Sequence, residues 1–515
     1  MPRISRGGPV SQWAQSDFGA YLPDVPALVN PGMVYARNIM PKANGFYGPA
    51  RSPASVSSNN VGLIGSPKRM AGTIHSYKDP DPGTTFFYAG TASDNTNGAR
   101  LLRYSEATGV WTNCSAAGGY TINVRKNWRF ANLKDSVIAA GGDGTALQYL
   151  VNGRFGNFAR LATEAPNAID IAVVNPGFLV AVNVRDNAYG AGRQPYRVWW
   201  AAIGDPTNWP EPGTVAAINV QSDFQDLFAG GKLQRIFPGI GGNDAVIVGE
   251  RHIWRMNYVG PPAIFDFRVA EYDQGITVEG AAAALNETLF TYGNGGFQMF
   301  DGNNSTPIGR GQVDEFFLND VDFAVANGNA FAMCAGVDAE NHRVLFAYRN
   351  EEAATEFNNR VLAYNIVSQR WGIADVAIDA MGLVDNQASA TDSPFLVTMN
   401  QDFTTQRLTG KTLEAELDTK ETSDKGGGET LVKSARPLID APDLYASLLT
   451  RDRQSQILVS SEEQGLEDDG TIPFDLDASR YYRARCRVPF GVEWSDAMGC
   501  EFETTPWAHG NARTG

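Results

Sequence analysis

The chain has 515 residues, among them 54 glycines, 27 prolines and four cysteines, with 11% aromatic residues and a net charge of −15. That length exceeds one ordinary compact core unless the core grows by repeating a unit. The acidic balance makes a poor general nucleic-acid binder, because phosphate affinity comes from counterions released around Lys and Arg, but it leaves room for DNA that moves past without sticking.

No apolar run approaches the roughly 20 residues that span a bilayer, so no stable membrane anchor is expected. The start, Met1-Pro2-Arg3-Ile4-Ser5-Arg6-Gly7-Gly8, has basic residues with no apolar core behind them. It is not a secretory signal, and synthesis in a cytoplasm without export is expected. Cys114, Cys334, Cys486 and Cys500 are far apart with no C-x-x-C pair, which predicts buried free thiols in a reducing compartment.

Residues 1–60 read as an extended N-terminal arm. Pro23, Pro26, Pro31, Pro41, Pro49 and Pro53 break any long element, while Trp13, Phe18, Tyr21, Phe46 and Tyr47 favour an arm draped over a neighbour. From there a hairpin unit recurs. Its plainest copy is Thr288–Gly302, where two runs of β-branched and aromatic residues flank Gly293-Asn294-Gly295-Gly296. In chain order the pairs are 85–89 with 101–104, 136–140 with 146–149, 178–182 with 196–200, and 245–248 with 252–256. The Thr288 hairpin follows, then 344–348 with 361–364, and a weaker seventh, 395–398 with 406–408.

Tyr104 is followed seven residues later by Trp111, and Tyr364 likewise by Trp371. Trp200 and Trp209 bracket a looser version, and Trp254 sits on the second strand of the fourth unit. These tryptophans are expected to pack between blades. Units of about 40–50 residues predict a mainly β protein, a β-propeller of six to eight blades with seven as the central value. The competing architecture is a large irregular sandwich. The propeller would occupy 61–415, followed by a C-terminal β segment at 416–515, with Asp418–Gly428 as a charged, glycine-rich linker.

Motifs for chemistry are sparse. His75, His252, His342 and His509 lack metal-ligand spacing, and no G-x-S-x-G elbow occurs. Gly410-Lys411-Thr412 resembles the end of a phosphate loop, but Thr405 stands where the opening glycine belongs. Glu467-Asp468-Asp469-Gly470 and Asp475-Leu476-Asp477 lack the ligand ladder of an EF-hand. No catalytic residue, cofactor or metal is expected, although a carboxylate pair of glycosidase type stays open among 57 acids.

One charged stripe stands out. In the stretch that begins at Arg480, residues Arg483, Arg485 and Arg487 alternate with Tyr482, Ala484, Cys486 and Val488, so at period two the arginines share one strand face. Three adjacent like charges need an answer. The chain's own acids, a neighbouring subunit and DNA are the three candidates.

Several stretches resemble the tail nozzle (tail tube or hub) proteins of short-tailed bacteriophages. They are Val198-Trp199-Trp200 leading to Gly204-Asp205-Pro206-Thr207-Asn208-Trp209, then 246–254, 291–297, and Ala435-Arg436-Pro437-Leu438-Ile439-Asp440 before the Arg-rich strand. The resemblance implies a structural virion protein made in the bacterial cytoplasm. It would form a homo-oligomeric ring, a hexamer, below the portal and a tail adaptor protein. The ring would line the channel for genomic DNA, seal the packaged genome, pass it during ejection, and contact a tail fibre or tail needle. The family has no catalytic residues to carry over. No long insertion between blades is evident, which puts direct fibre attachment in doubt. A propeller tail protein that binds or degrades glycans is the alternative.

Overall fold

Runs such as Phe178–Asp186 and Ala245–Gly249 are buried along nearly their whole length rather than on alternate residues. A strand gives that pattern when both its faces are covered, as happens where small sheets stack face to face around a ring. A computed structural model of the chain has this arrangement and is mainly β. It describes residues 12–507 except 58, 61–63, 65–68, 79–84, 94, 106–107, 124–125, 153–155, 323–332, 354–356, 385–393, 401, 424–427 and 475–477. His509 and Asp475-Leu476-Asp477 therefore lie outside the described residues.

The molecule is a β-propeller. Among the described residues, six small sheets and one half of a ten-stranded sheet supply antiparallel units in sequence order. The first unit runs His75–Lys78, Thr85–Ala92, Leu101–Ser105 and Val110–Asn113. Innermost strands of the next five are Arg129–Leu133, Asn167–Val174, Leu233–Pro238, Ala282–Leu285 and Met333–Asp338. The last unit, Ala380–Val384, Phe395–Met399 and Thr405–Arg407, takes its outer strand, Ala54–Ser55, from the N-terminal arm. Parallel bridges from Gly72 to Trp128 and from Thr73 to Met381 join the first unit to the second and to the last, which closes the ring. Gly72 has φ +96°, and a Cβ there would meet the Trp128 carbonyl, so this approach of two units requires glycine.

Six of the seven hairpins read from the sequence are the middle strand pairs of these units, and the second is one in part: Ser136–Ala140 pairs with Gln148–Leu150, while Gly142–Ala146 is no simple turn but a strand that pairs with Asn167–Val174 of the third unit. The gaps between units are filled by tryptophan. Trp111 packs with Tyr104, Phe87 and Val397 between the first and last units. Trp209 lies in the core between the second and third, Trp200 between the third and fourth, and Trp371 against Phe297 of the fifth. Trp254 is half-buried against the same core as Trp200.

The arm is draped over its own chain. Gln12–Asp17 and Tyr47–Pro49 pair with Ala497–Trp507, Ile39–Pro41 pairs with Arg370–Ala374, and Ala36–Arg37 pairs with Ala415–Asp418. Residue 415, where the sequence changes texture, opens that last strand, and Asp418 lies within it rather than in a linker. The C-terminal strands form two sheets, one of them continuous with the sixth propeller unit through Ile39–Pro41 and Tyr47–Pro49. One apolar core runs through both parts, from Phe297 and Trp371 to Cys486 and Phe502.

Candidate functional site at the propeller axis

The chain itself answers the charge of the Arg stripe. Strand Tyr481–Val488 lies between Ala415–Asp418 and Tyr445–Arg451, in a register that sets Asp418 beside Arg485 and Glu416 beside Arg487. Asp418 is fully buried and accepts from Arg485 Nε at 2.6 Å and Nη2 at 3.0 Å. Arg483 Nε is 3.2 Å from Asp418 Oδ2, the oxygen that also accepts from Arg485 Nη2, close enough for an ion pair but not aligned as a hydrogen bond. Arg487 pairs with Glu463 and Glu414, and Arg485 and Arg487 lie over the rings of Tyr35 and Tyr445. The apolar face, Tyr482, Ala484, Cys486 and Val488, is buried in the shared core. Arg480 is exposed just outside the strand, with its backbone N–H on Asp452. A neighbouring subunit is therefore not needed to neutralise Arg483, Arg485 and Arg487. Burial pushes the Asp418 carboxyl above its ordinary value, against the pull of the two arginines.

The remaining sequence candidates are dispersed. His252 packs edge-on to Tyr272, and His342 lines a cleft of about 550 Å³ between the sixth unit and the arm. The lysine and arginines of that cleft are paired: Lys42 with Asp496, Arg51 with Glu493, and Arg343 with Asp338. Gly410 and Thr412 pair with arm residues Ser52 and Arg51, so that stretch is a paired turn. Glu467, Asp468 and Asp469 are exposed. Among the described residues no group of three or more His, Cys, Asp or Glu could hold a metal ion. The four cysteines are free and buried, and burial raises Cys114 to about 12 and Cys334 to about 11.

The unusual chemistry is on the axis, where the inner strands converge. Arg69, Arg129, Asp170, Arg235, Glu279 and Asp379 come from different units and are all buried. Asp170 is held on three sides, accepting from Arg235 Nε at 2.7 Å and from the Ile236 and Ile171 N–H groups. Glu279 accepts from Lys126 Nζ at 3.0 Å. Its backbone carbonyl is shared by two guanidiniums, Arg129 Nη2 at 3.0 Å and Arg235 Nη1 at 3.1 Å. Arg69 donates to the Met70 and Lys126 carbonyls and to Asn127 Oδ1.

Burial lowers Arg69 and Arg129 to about 10, the nearby Arg235 charge adding to the effect at Arg129, so both stay cationic at neutral pH. Asp379 lies by a small cavity that Cys334 and Arg129 also line. Its Oδ1 accepts the Asn358 N–H at 3.1 Å while Oδ2 has no partner. Desolvation pushes this carboxyl up to about 7. A larger cavity of about 350 Å³ lies alongside, lined by Thr73, His75, Arg129, Asn132, Asp170 and Arg235. His75 stacks on Phe130 and bonds Asn132 Oδ1 at 2.8 Å. Of these residues the sequence singled out only His75 and the buried thiol Cys334, and no local pattern marks the charged ones, because each is one polar residue in or beside an inner strand.

No known family and no curated protein matches the chain. Among solved structures, a protein from Lactobacillus plantarum is similar at TM-score 0.35 and 12% identity, over 61% of this chain and 86% of that one. A putative 6-phosphogluconolactonase from Bacteroides uniformis is similar at TM-score 0.35 and 12% identity, over 66% and 91%. A nidogen/laminin complex gives TM-score 0.30 and 12% identity, over 47% and 79%. Likenesses this distant carry no argument about activity.

Proposed function

We propose that the chain is a non-enzymatic, ring-forming structural subunit of a short-tailed phage nozzle. The observation that supports it most is the way the chain is stitched. The N-terminal arm supplies the outer strand of the last propeller unit and bridges the sixth unit to the C-terminal sheets, with one core running through both. A body closed and cross-braced in this manner suits a channel wall that must resist packaged DNA. The order of the resembling stretches, from Val198 to the Arg-rich strand, agrees with the same reading. Buried charged side chains crowd the propeller axis, so in this reading the DNA lumen lies at the centre of the ring, between subunits. The net charge of −15 suits that lumen, since phosphates held by many lysines would have to break those contacts at every step.

Electron microscopy of the purified full chain, alone and with tailless capsids, tests the proposal. Six-fold rings with a central pore that bind the capsid vertex are expected. A chain that stays monomeric and never attaches to capsids would overturn it.

A further inference from the structure

Buried charges in proteins are paired, because an uncompensated ion in a poorly solvated site is costly. Arg129 departs from that rule. Its residue exposure is 4%, and among the described residues its one hydrogen bond is to the backbone carbonyl of Glu279 and no carboxylate lies within ion-pair distance. The nearest charged neighbour on that carbonyl is a second guanidinium, Arg235. The acids nearby are already committed, Asp170 to Arg235 and Glu279 to Lys126. Asp379, raised to about 7, carries only part of a charge at neutral pH. Around the axis, Arg69, Lys126, Arg129 and Arg235 thus face Asp170, Glu279 and a partly protonated Asp379. The excess is positive in a chain that is otherwise strongly acidic.

The unanswered cation borders a cavity of about 350 Å³. Of the other polar side chains there, Thr73 has a hydroxyl that can donate to an anion, Asn132 is held by His75 and the Ser76 carbonyl, Asp170 is taken up by Arg235, and Phe130 gives one apolar wall. A planar guanidinium with unused N–H groups is matched by two oxygens of one carboxylate or phosphate. We propose that the axial cavity binds a small oxyanion, a carboxylate or phosphate carried by a molecule of monosaccharide size or less, with Arg129 as its counter-charge and Arg235 beside it. This is independent of ring formation: a nozzle subunit could hold such a ligand, and so could a glycan-binding propeller.

The test uses the full chain, with thermal unfolding and calorimetry at constant ionic strength. Inorganic phosphate and glucuronate are the probes, and glucose is the uncharged control. At least one oxyanion is expected to raise the melting temperature while glucose does not, and the responding probe distinguishes a phosphate ligand from a carboxylate one. Arg129→Met should weaken that probe at least tenfold. It should melt no lower than the wild type in ligand-free buffer, since it removes a buried charge that forms no ion pair with a carboxylate among the described residues. A purely structural Arg129 predicts the reverse: a much less stable variant and no oxyanion response in the wild type. Should Arg129→Met not fold, Arg129→Lys decides. It keeps the charge without the planar fork, and unchanged affinity would refute the proposal while a tenfold loss supports it. No response of the wild type to either oxyanion also overturns it.

Discussion

Asp379 makes the stability of this propeller depend on pH in the direction opposite to a salt-bridged acid. Its carboxyl is nine-tenths buried with one oxygen unpartnered, and desolvation raises it from an ordinary 3.8 to about 7. Between those values the folded chain holds a proton that the unfolded chain has released. Stability therefore falls as pH rises through this window and levels off above about pH 7. A displacement of about three pH units at about 1.4 kcal/mol each corresponds to about 4 kcal/mol, of which about 3 kcal/mol falls between about pH 5 and about pH 8.

Asp379→Asn removes the titration and keeps an oxygen for the Asn358 N–H. Relative to that variant, the wild type should lose about 3 kcal/mol across the same range. Thermal and urea unfolding of both proteins, followed by circular dichroism at matched pH, gives the difference directly and cancels every other titrating group. A wild-type-minus-variant difference that is flat from about pH 5 to about pH 8 would refute the reasoning. It would mean that Arg69 or bound water keeps the carboxylate ionised in the folded state.

Two other substitutions separate buried from exposed contacts. Asp418→Ala strips the shared acid from Arg483 and Arg485 and should cost about 3–5 kcal/mol, with little sensitivity to salt. Arg487→Ala, at the more exposed end of the stripe, should cost about 1 kcal/mol or less. Equal effects from the two in urea unfolding would contradict this account of the ladder. Trp371→Ala opens a hole between the fifth and sixth units, where the indole meets Phe297, Phe346 and Tyr364 and donates to the Ile308 carbonyl. A loss of about 3–5 kcal/mol is expected by calorimetry, and a change below about 1 kcal/mol would show that the two units do not depend on that contact.

The sequence alone determined the hairpins, the repeat and the propeller class. Most middle strand pairs are specified locally by β-branched and aromatic runs that flank a loop, most plainly by the tight turn between Thr288–Gly293 and Gly296–Phe300. The alternation in Tyr481–Val488 likewise fixed which face is buried, because period two is a property of the strand itself. It could not say which acids meet the arginines. Asp418 looked like part of a linker, and only pairing across 67 residues sets it against Arg485. The arm was legible as extended and aromatic, but its partners, such as Thr504 for Gln12 and Gln406 for Ser55, lie hundreds of residues away and follow from ring closure. The axial cluster was the least legible part. Arg69, Arg129, Asp170, Arg235, Glu279 and Asp379 are isolated polar residues spread over 310 positions, and no spacing rule relates them. They meet because successive units turn about one axis and bring their inner strands to it. The charge imbalance at Arg129 exists only once that ring has closed.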